Sequence, residues 1–180
     1  MNIALLGLRA SGKTTVGRVL AQRLRRPFID TDELIIQQAG MSIREIFEAE
    51  GEAGFRRRER MVIRVDLPED RAVIALGGGA FTNEENIRIL QATSRLVWLR
   101  GSHETLWKRM EGDPATLANR PDLTAEGGLA EVRRLASLRE PVFRMIAEFS
   151  VETDTKSPEE LATEIETWFN GGGRGGRART

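Results

Sequence analysis

The chain has 180 residues with 27 basic and 27 acidic side chains, so no net field points to nucleic acid or to an anionic membrane as a partner. It has no cysteine, which excludes disulfides, thiolate metal sites and cysteine nucleophiles, and no apolar run approaches the ~20 residues that span a bilayer. The expectation is a globular cytoplasmic protein with a full-sized core, since the N-terminus runs straight into a strand and leaves no room for a leader.

Ile3, Ala4, Leu5 and Leu6 form a short apolar run of strand type. Gly7-Leu8-Arg9-Ala10-Ser11-Gly12-Lys13-Thr14 follows and fits G-x-x-x-x-G-K-[ST]. Val16, Val19, Leu20 and Leu24 then fall on one helical face. Strand, glycine loop and helix thus stand in the order that a phosphate-binding P-loop needs. Phe28 and Ile29 belong to a second strand, and residues 32–39 to a helix closed by Gly40. Ser42 and Glu45 form a capping box that opens the next helix. Gly51 and Gly54 are expected to break it, before a helical stretch carrying Phe55, Met61, Val62 and Val65. Residues 72–76 are a continuous apolar run, suited to a parallel strand covered on both faces. Thr82 with Glu85 reads as another capping box, for a helix with Ile87 and Leu90.

Residues 96–99 are a further strand, and Leu106, Trp107 and Met110 lie on the helix after it. His103, the only histidine, reads as a surface or cap residue. Residues 112–123 have no clean period and read as a mobile loop. A long helix over 129–145 and a last strand at 149–151 follow. Ser157, Pro158 and Glu160 then start a final helix that presents Leu161, Ile165, Trp168 and Phe169. Residues 171–180 are Gly- and Arg-rich and are expected to be a disordered tail. Strands alternating with helices predict a three-layer αβα sandwich around a five-stranded parallel sheet, with the ligand at the carboxyl ends of the strands.

In the P-loop, Gly7 and Gly12 allow the tight turn, Lys13 would reach the β- and γ-phosphates and the Thr14 hydroxyl would ligate Mg²⁺. Ala10, Ser11 and Thr15 complete the expected nucleotide-binding set. Four further groups narrow the chemistry. Asp30 and Asp32, leaving the second strand at i and i+2, can serve Mg²⁺ and accept a hydroxyl proton, or can cap a helix. In Phe55-Arg56-Arg57-Arg58-Glu59, Arg56 shares a face with Glu52 and Glu59, which could orient it to grip a carboxylate. Gly77, Gly78 and Gly79 leave a strand end bare, as a ligand lying against the backbone requires. Arg120, in the loop, and Arg139, on the long helix, could each be an ordinary surface arginine, but a mobile loop arginine that closes over phosphates is also what phosphoryl transfer uses.

Together these residues resemble the shikimate kinases, from Ile3 to about Phe169. The landmarks are the P-loop, Phe28-Ile29-Asp30-Thr31-Asp32, Phe55-Arg56 with Glu59, Gly77-Gly78-Gly79, Asn119-Arg120-Pro121, and Arg139 ahead of Pro141. The chain departs from the family's pattern with Arg9 inside the P-loop and with Phe143 where a tyrosine is usual. The resemblance implies a P-loop NTPase fold of nucleoside-monophosphate-kinase type over residues 1–170, with substrate-binding helices over about 32–60 and a lid over about 112–123. It implies that ATP and Mg²⁺ are used, that shikimate is phosphorylated on its 3-hydroxyl, and that the protein is a monomer. Asp30 would assist Mg²⁺ with Thr14, and Asp32 would bind the ring hydroxyls and act as base. Arg56 and Arg139 would clamp the carboxylate, over Gly78 and Gly79. Arg120 would touch phosphate from the lid, and Arg109 would lie near the adenine. Two alternatives stay open: a related small-molecule kinase of the gluconate type, and a nucleotide-binding regulator without turnover.

Overall fold

Ile3 and Leu5 face one side of the central strand and Ala4 and Leu6 the other, and all four are fully buried. A strand with both faces apolar needs a cover on each, and that requirement organises the molecule. The computed structural model describes residues 1–113 and 127–172. Strands β1 (Asn2–Leu6), β2 (Phe28–Asp30), β3 (Val73–Ala75), β4 (Ser94–Arg100) and β5 (Phe149–Glu152) form one sheet. Their order is β2-β3-β1-β4-β5, and every neighbouring pair is parallel. Helices α1 (Lys13–Leu24), α2 (Thr31–Ala39), α3 (Ile43–Met61), α4 (Glu84–Thr93), α5 (His103–Glu111), α6 (Gly128–Ile146) and α7 (Pro158–Asn170) accompany them.

On one face, Ile3, Leu5, Val73, Val97 and Leu99 pack against Val16 and Leu20 of α1 and Leu161 and Ile165 of α7. On the other, Ala4, Leu6, Ile74, Leu96 and Trp98 meet Leu90 of α4, Leu106 and Met110 of α5, and Val132, Ala136 and Phe143 of α6. This is the three-layer αβα sandwich expected. A smaller cluster of Ile35, Ile43, Ile46, Phe55 and Val62 holds α2 against α3 beside the sheet. No helix of the described residues is long and apolar enough to cross a membrane.

Several local expectations need correction. Gly51 does interrupt α3, at φ 68° and ψ 179°, but Gly54 lies buried inside the continuing helix. Met61 and Val65 are 56% and 62% exposed, whereas the π-helical turn at Val62–Asp66 that follows α3 buries Ile63 along with the expected Val62. The cap of α4 is Asn83 rather than Thr82: its side chain accepts from the N–H groups of Glu85 and Asn86, while Thr82 closes a 3₁₀ turn by donating to the Gly79 carbonyl. The capping boxes at Ser42 and Ser157 stand as expected. His103 opens α5 behind the Ser102 cap, with its ring 3.3 Å from Glu140. The expected lid beyond Asp113 and the expected tail beyond Gly172 lie outside the described residues.

Candidate active site

The loop between β1 and α1 is fixed by sterics. At Gly7, φ is +154°, and a Cβ there would lie 2.5 Å from Ser11 Oγ and 2.7 Å from the Leu99 carbonyl. Gly12, at φ +91°, turns the chain into α1. Ala10 also holds a positive φ of 61°, which for a residue with a Cβ costs roughly 1–2 kcal/mol. The start of α1 has no side-chain cap and no acidic residue in its first turn. Asp30, Ser42, Asn83, Ser102 and Ser157, by contrast, each supply a side-chain oxygen to the helix that follows. An uncapped first turn leaves its N–H groups and its positive dipole end to an anion. Lys13 Nζ donates to the Gly7 and Leu8 carbonyls, 2.9 Å from each.

Asp30 takes the capping role and also meets Thr14. One carboxylate oxygen caps α2, accepting from the N–H groups of Asp32 and Glu33, and the other accepts from Thr14 Oγ1 at 2.6 Å. A hydroxyl and a carboxylate therefore meet beside the phosphate loop. Such hard oxygen donors, few in number, suit Mg²⁺, which keeps most of its waters and takes its other ligands from phosphates. Thr31 ties β2 to the glycine run: its Oγ1 donates to the Ala75 carbonyl at 3.3 Å and accepts from the Gly77 N–H at 2.9 Å. No local pattern of residues signals this tie, which depends on the pairing of β2 with β3.

The three glycines are bare because charged groups lie against them. A Cβ on Gly77 would approach Asp32 Oδ1 to 2.7 Å and Glu59 Oε1 to 3.0 Å. One on Gly78 would come within 2.8 Å of an Arg139 nitrogen, and one on Gly79 would overlap the Arg56 guanidinium at 1.8 Å. Arg56 pairs with Glu52 at 3.2 Å and with Glu59 at 3.1 Å, as the shared helical face predicts. Glu59 is 1% exposed, and burial pushes its pKa up to about 7, with the Arg56 charge opposing the shift and Asp32 adding to it. Burial and the neighbouring Arg56 push the Arg139 guanidinium down to about 10, with Arg9 adding to that push and Glu59 opposing it. Arg139 therefore stays charged at neutral pH, but in repulsive company. An anion bound there would relieve that repulsion.

A cleft of about 510 Å³ runs along the P-loop, lined by Ala10, Ser11, Gly12, Lys13, Thr14 and Thr15 together with Asp30 and Asp32. Its far end is formed by Arg109, Met110, Thr153 and Lys156, of which only Arg109 was expected. Arg109 is pinned there, donating to the Ala10 carbonyl at 3.4 Å and to the Thr153 hydroxyl at 3.2 Å. A smaller pocket of about 60 Å³ adjoins the cleft and is lined by Asp32, Arg56, Glu59, Gly77, Gly78, Gly79 and Arg139. A hollow of about 440 Å³ continues past Arg56, Gly78 and Arg139. The candidate residues on the described chain therefore gather along one cleft and one adjoining pocket that holds two arginines. Arg120 lies outside the described residues.

The shikimate kinase family model matches residues 9–170. The chain is 45% identical over 165 residues to the shikimate kinase of Symbiobacterium thermophilum, covering 92% of this chain and 94% of that one. It is 46% identical over 151 residues to the shikimate kinase of Dechloromonas aromatica, covering 84% and 80% respectively. Among solved structures, shikimate kinase from Acinetobacter baumannii in complex with shikimate is similar at a TM-score of 0.87 and 38% identity, covering 95% of this chain and 93% of that one. The Aquifex aeolicus shikimate kinase is similar at a TM-score of 0.80 and 36% identity, covering 98% and 100%.

Proposed function

The chain belongs to the shikimate kinase family and is an ATP-dependent phosphotransferase acting on a hydroxyl of shikimate, and we propose that Lys13, Asp32 and Arg120 carry the transfer to the 3-hydroxyl. The observation that carries the residue assignment is the meeting of two cavities at Asp32. One has the size and lining for a nucleotide, and the other holds two arginines over a bare glycine run.

In this reading Gly7, Ala10, Ser11, Gly12, Lys13, Thr14 and Thr15 bind the phosphates, with Arg109 beside the adenine end. Arg56 and Arg139 grip the acid's carboxylate, and Gly78 and Gly79 let the ring lie close to the backbone. Asp32 accepts the proton of the attacking hydroxyl. Thr14 and Asp30 would hold Mg²⁺, which would neutralise charge on the phosphate oxygens when bound. The assignment of Arg120 to the phosphate rests on the family likeness of Asn119-Arg120-Pro121 alone. Residues 1–170 are proposed as one kinase domain, with α2 and α3 as its acid-binding part. The proposed setting is the cytoplasm, as a monomer, with shikimate and ATP as partners.

Arg56→Ala and Arg139→Ala test the clamp. Each is expected to weaken shikimate binding by at least about tenfold, the scale of a lost charge-assisted contact, while nucleotide affinity is kept. Isothermal titration of each variant with shikimate and with ATP reads both. Unchanged shikimate affinity in both variants would contradict the assignment.

A further inference from the structure

The P-loop motif leaves its second interior position unspecified, and here that position is Arg9. Among the described residues, three line both the nucleotide cleft and the acid pocket: Arg9, Lys13 and Asp32. Two of the three already have a part in the transfer. The third is a guanidinium at the same junction, close enough to Arg139 to help lower its pKa.

We propose that the Arg9 side chain is a further catalytic cation, touching the phosphoryl group as it crosses from nucleotide to acid. This rests on the kinase reading above. In the transfer the acid's hydroxyl oxygen forms a bond to the γ-phosphorus and the bond to the β–γ bridging oxygen breaks. The electron pair leaves on ADP and the hydroxyl proton goes to Asp32. Charge spreads over the three equatorial oxygens of the moving group, and catalysis consists largely of placing fixed positive charge around them. Lys13 offers a point charge from the loop's end. A planar guanidinium offers two parallel N–H donors and can hold two of those oxygens at once.

The backbone on either side of Arg9 is held in place. Leu8 is 5% exposed, and its carbonyl accepts from Lys13 Nζ and from the Ser11 N–H. The Ala10 carbonyl accepts from Arg109. The stem of Arg9 thus leaves an anchored loop, as an arginine acting on a transition state requires, and the side chain is half-buried at the junction.

A third carboxylate clamp is the competing role, and the two roles separate kinetically. Arg9→Met is expected to lower kcat by about a hundredfold while the KM for shikimate stays within about twofold, with Arg9→Lys recovering part of the rate. A second measurement needs no turnover. Shikimate and its 3-phosphate are titrated into wild-type and Arg9→Met protein that keep the same circular dichroism. Arg9→Met should lose at least about tenfold in affinity for the phosphate ester and none for shikimate. Near wild-type kcat, or equal loss of affinity for both ligands, would overturn the proposal. Wild-type protein inert toward shikimate would instead contradict the kinase reading, and the two-ligand titration would still decide whether Arg9 reads the phosphate.

Discussion

Glu59 is a carboxylic acid enclosed by Arg56, Asp32, Arg139 and the bare Gly77 backbone, and burial holds its pKa near 7. Two consequences can be measured. The folded protein keeps a proton on Glu59 up to about pH 7, whereas the unfolded chain releases it near 4.5. The folded state therefore binds more protons in that window, and stability falls as pH rises from about 4.5 through about 7. Glu59→Gln should flatten that fall, as read from urea midpoints across the window; an unchanged slope would assign it to other groups. Secondly, an anion arriving on Arg56 adds negative charge beside Glu59 and raises its pKa further. Shikimate binding near pH 7 should then take up protons, seen as a binding enthalpy that depends on the buffer's ionisation enthalpy. No buffer dependence would contradict this. Lys13→Met and Asp32→Asn are each expected to cut turnover by at least about a hundredfold in steady-state assays, the scale of lost phosphate stabilisation or base help. The P-loop and Asp30-Thr31-Asp32 were legible because their chemistry is local in the chain. The closeness of Glu59 to Asp32 was not, because it depends on how α3 folds back over the β3 end.

At the scale of elements, the end of β3 is where backbone replaces side chain. Gly79→Ala would put a methyl group on the Arg56 guanidinium, whose atoms are the three nearest to that position. The expected result is a rise in the KM for shikimate of about tenfold or more, with the unfolding midpoint little changed. A lowered midpoint with unchanged KM would mean that the glycine serves folding instead. Strand and helix positions were readable from apolar period and capping chemistry, as at Ser42 and Ser157. The misreading of Thr82 has a physical reason, since Asn83 and Thr82 are adjacent hydroxyl or amide caps and the 3₁₀ turn after Gly79 selects between them. The π-helical turn after Met61 leaves no mark in a pattern read at 3.6 residues per turn, and it leaves Val65 exposed.

On the whole-molecule scale, the five parallel strands aim their carboxyl ends at one crevice, and α6 joins that crevice to the core. Arg139 reaches the acid pocket one turn before Phe143, which is fully buried and packs edge-on to Phe81 at 5.4 Å and against Trp98 at 5.9 Å. The surroundings of Phe143 are apolar throughout. Phe143→Ala should cost about 3–5 kcal/mol in denaturant unfolding, the range for a large buried aromatic, and a loss below about 1 kcal/mol would contradict this packing. The sheet order was not written in any one segment, since it follows from pairings between distant strands, but the alternation of strands and helices limited it to a parallel sheet covered on both faces.

ADP release from Mg-ATP, with shikimate, quinate, gluconate or no acceptor added, tests the kinase assignment. Shikimate is expected to stimulate release and gluconate is not. Equal silence with every acceptor, in protein shown to bind ATP, would contradict it.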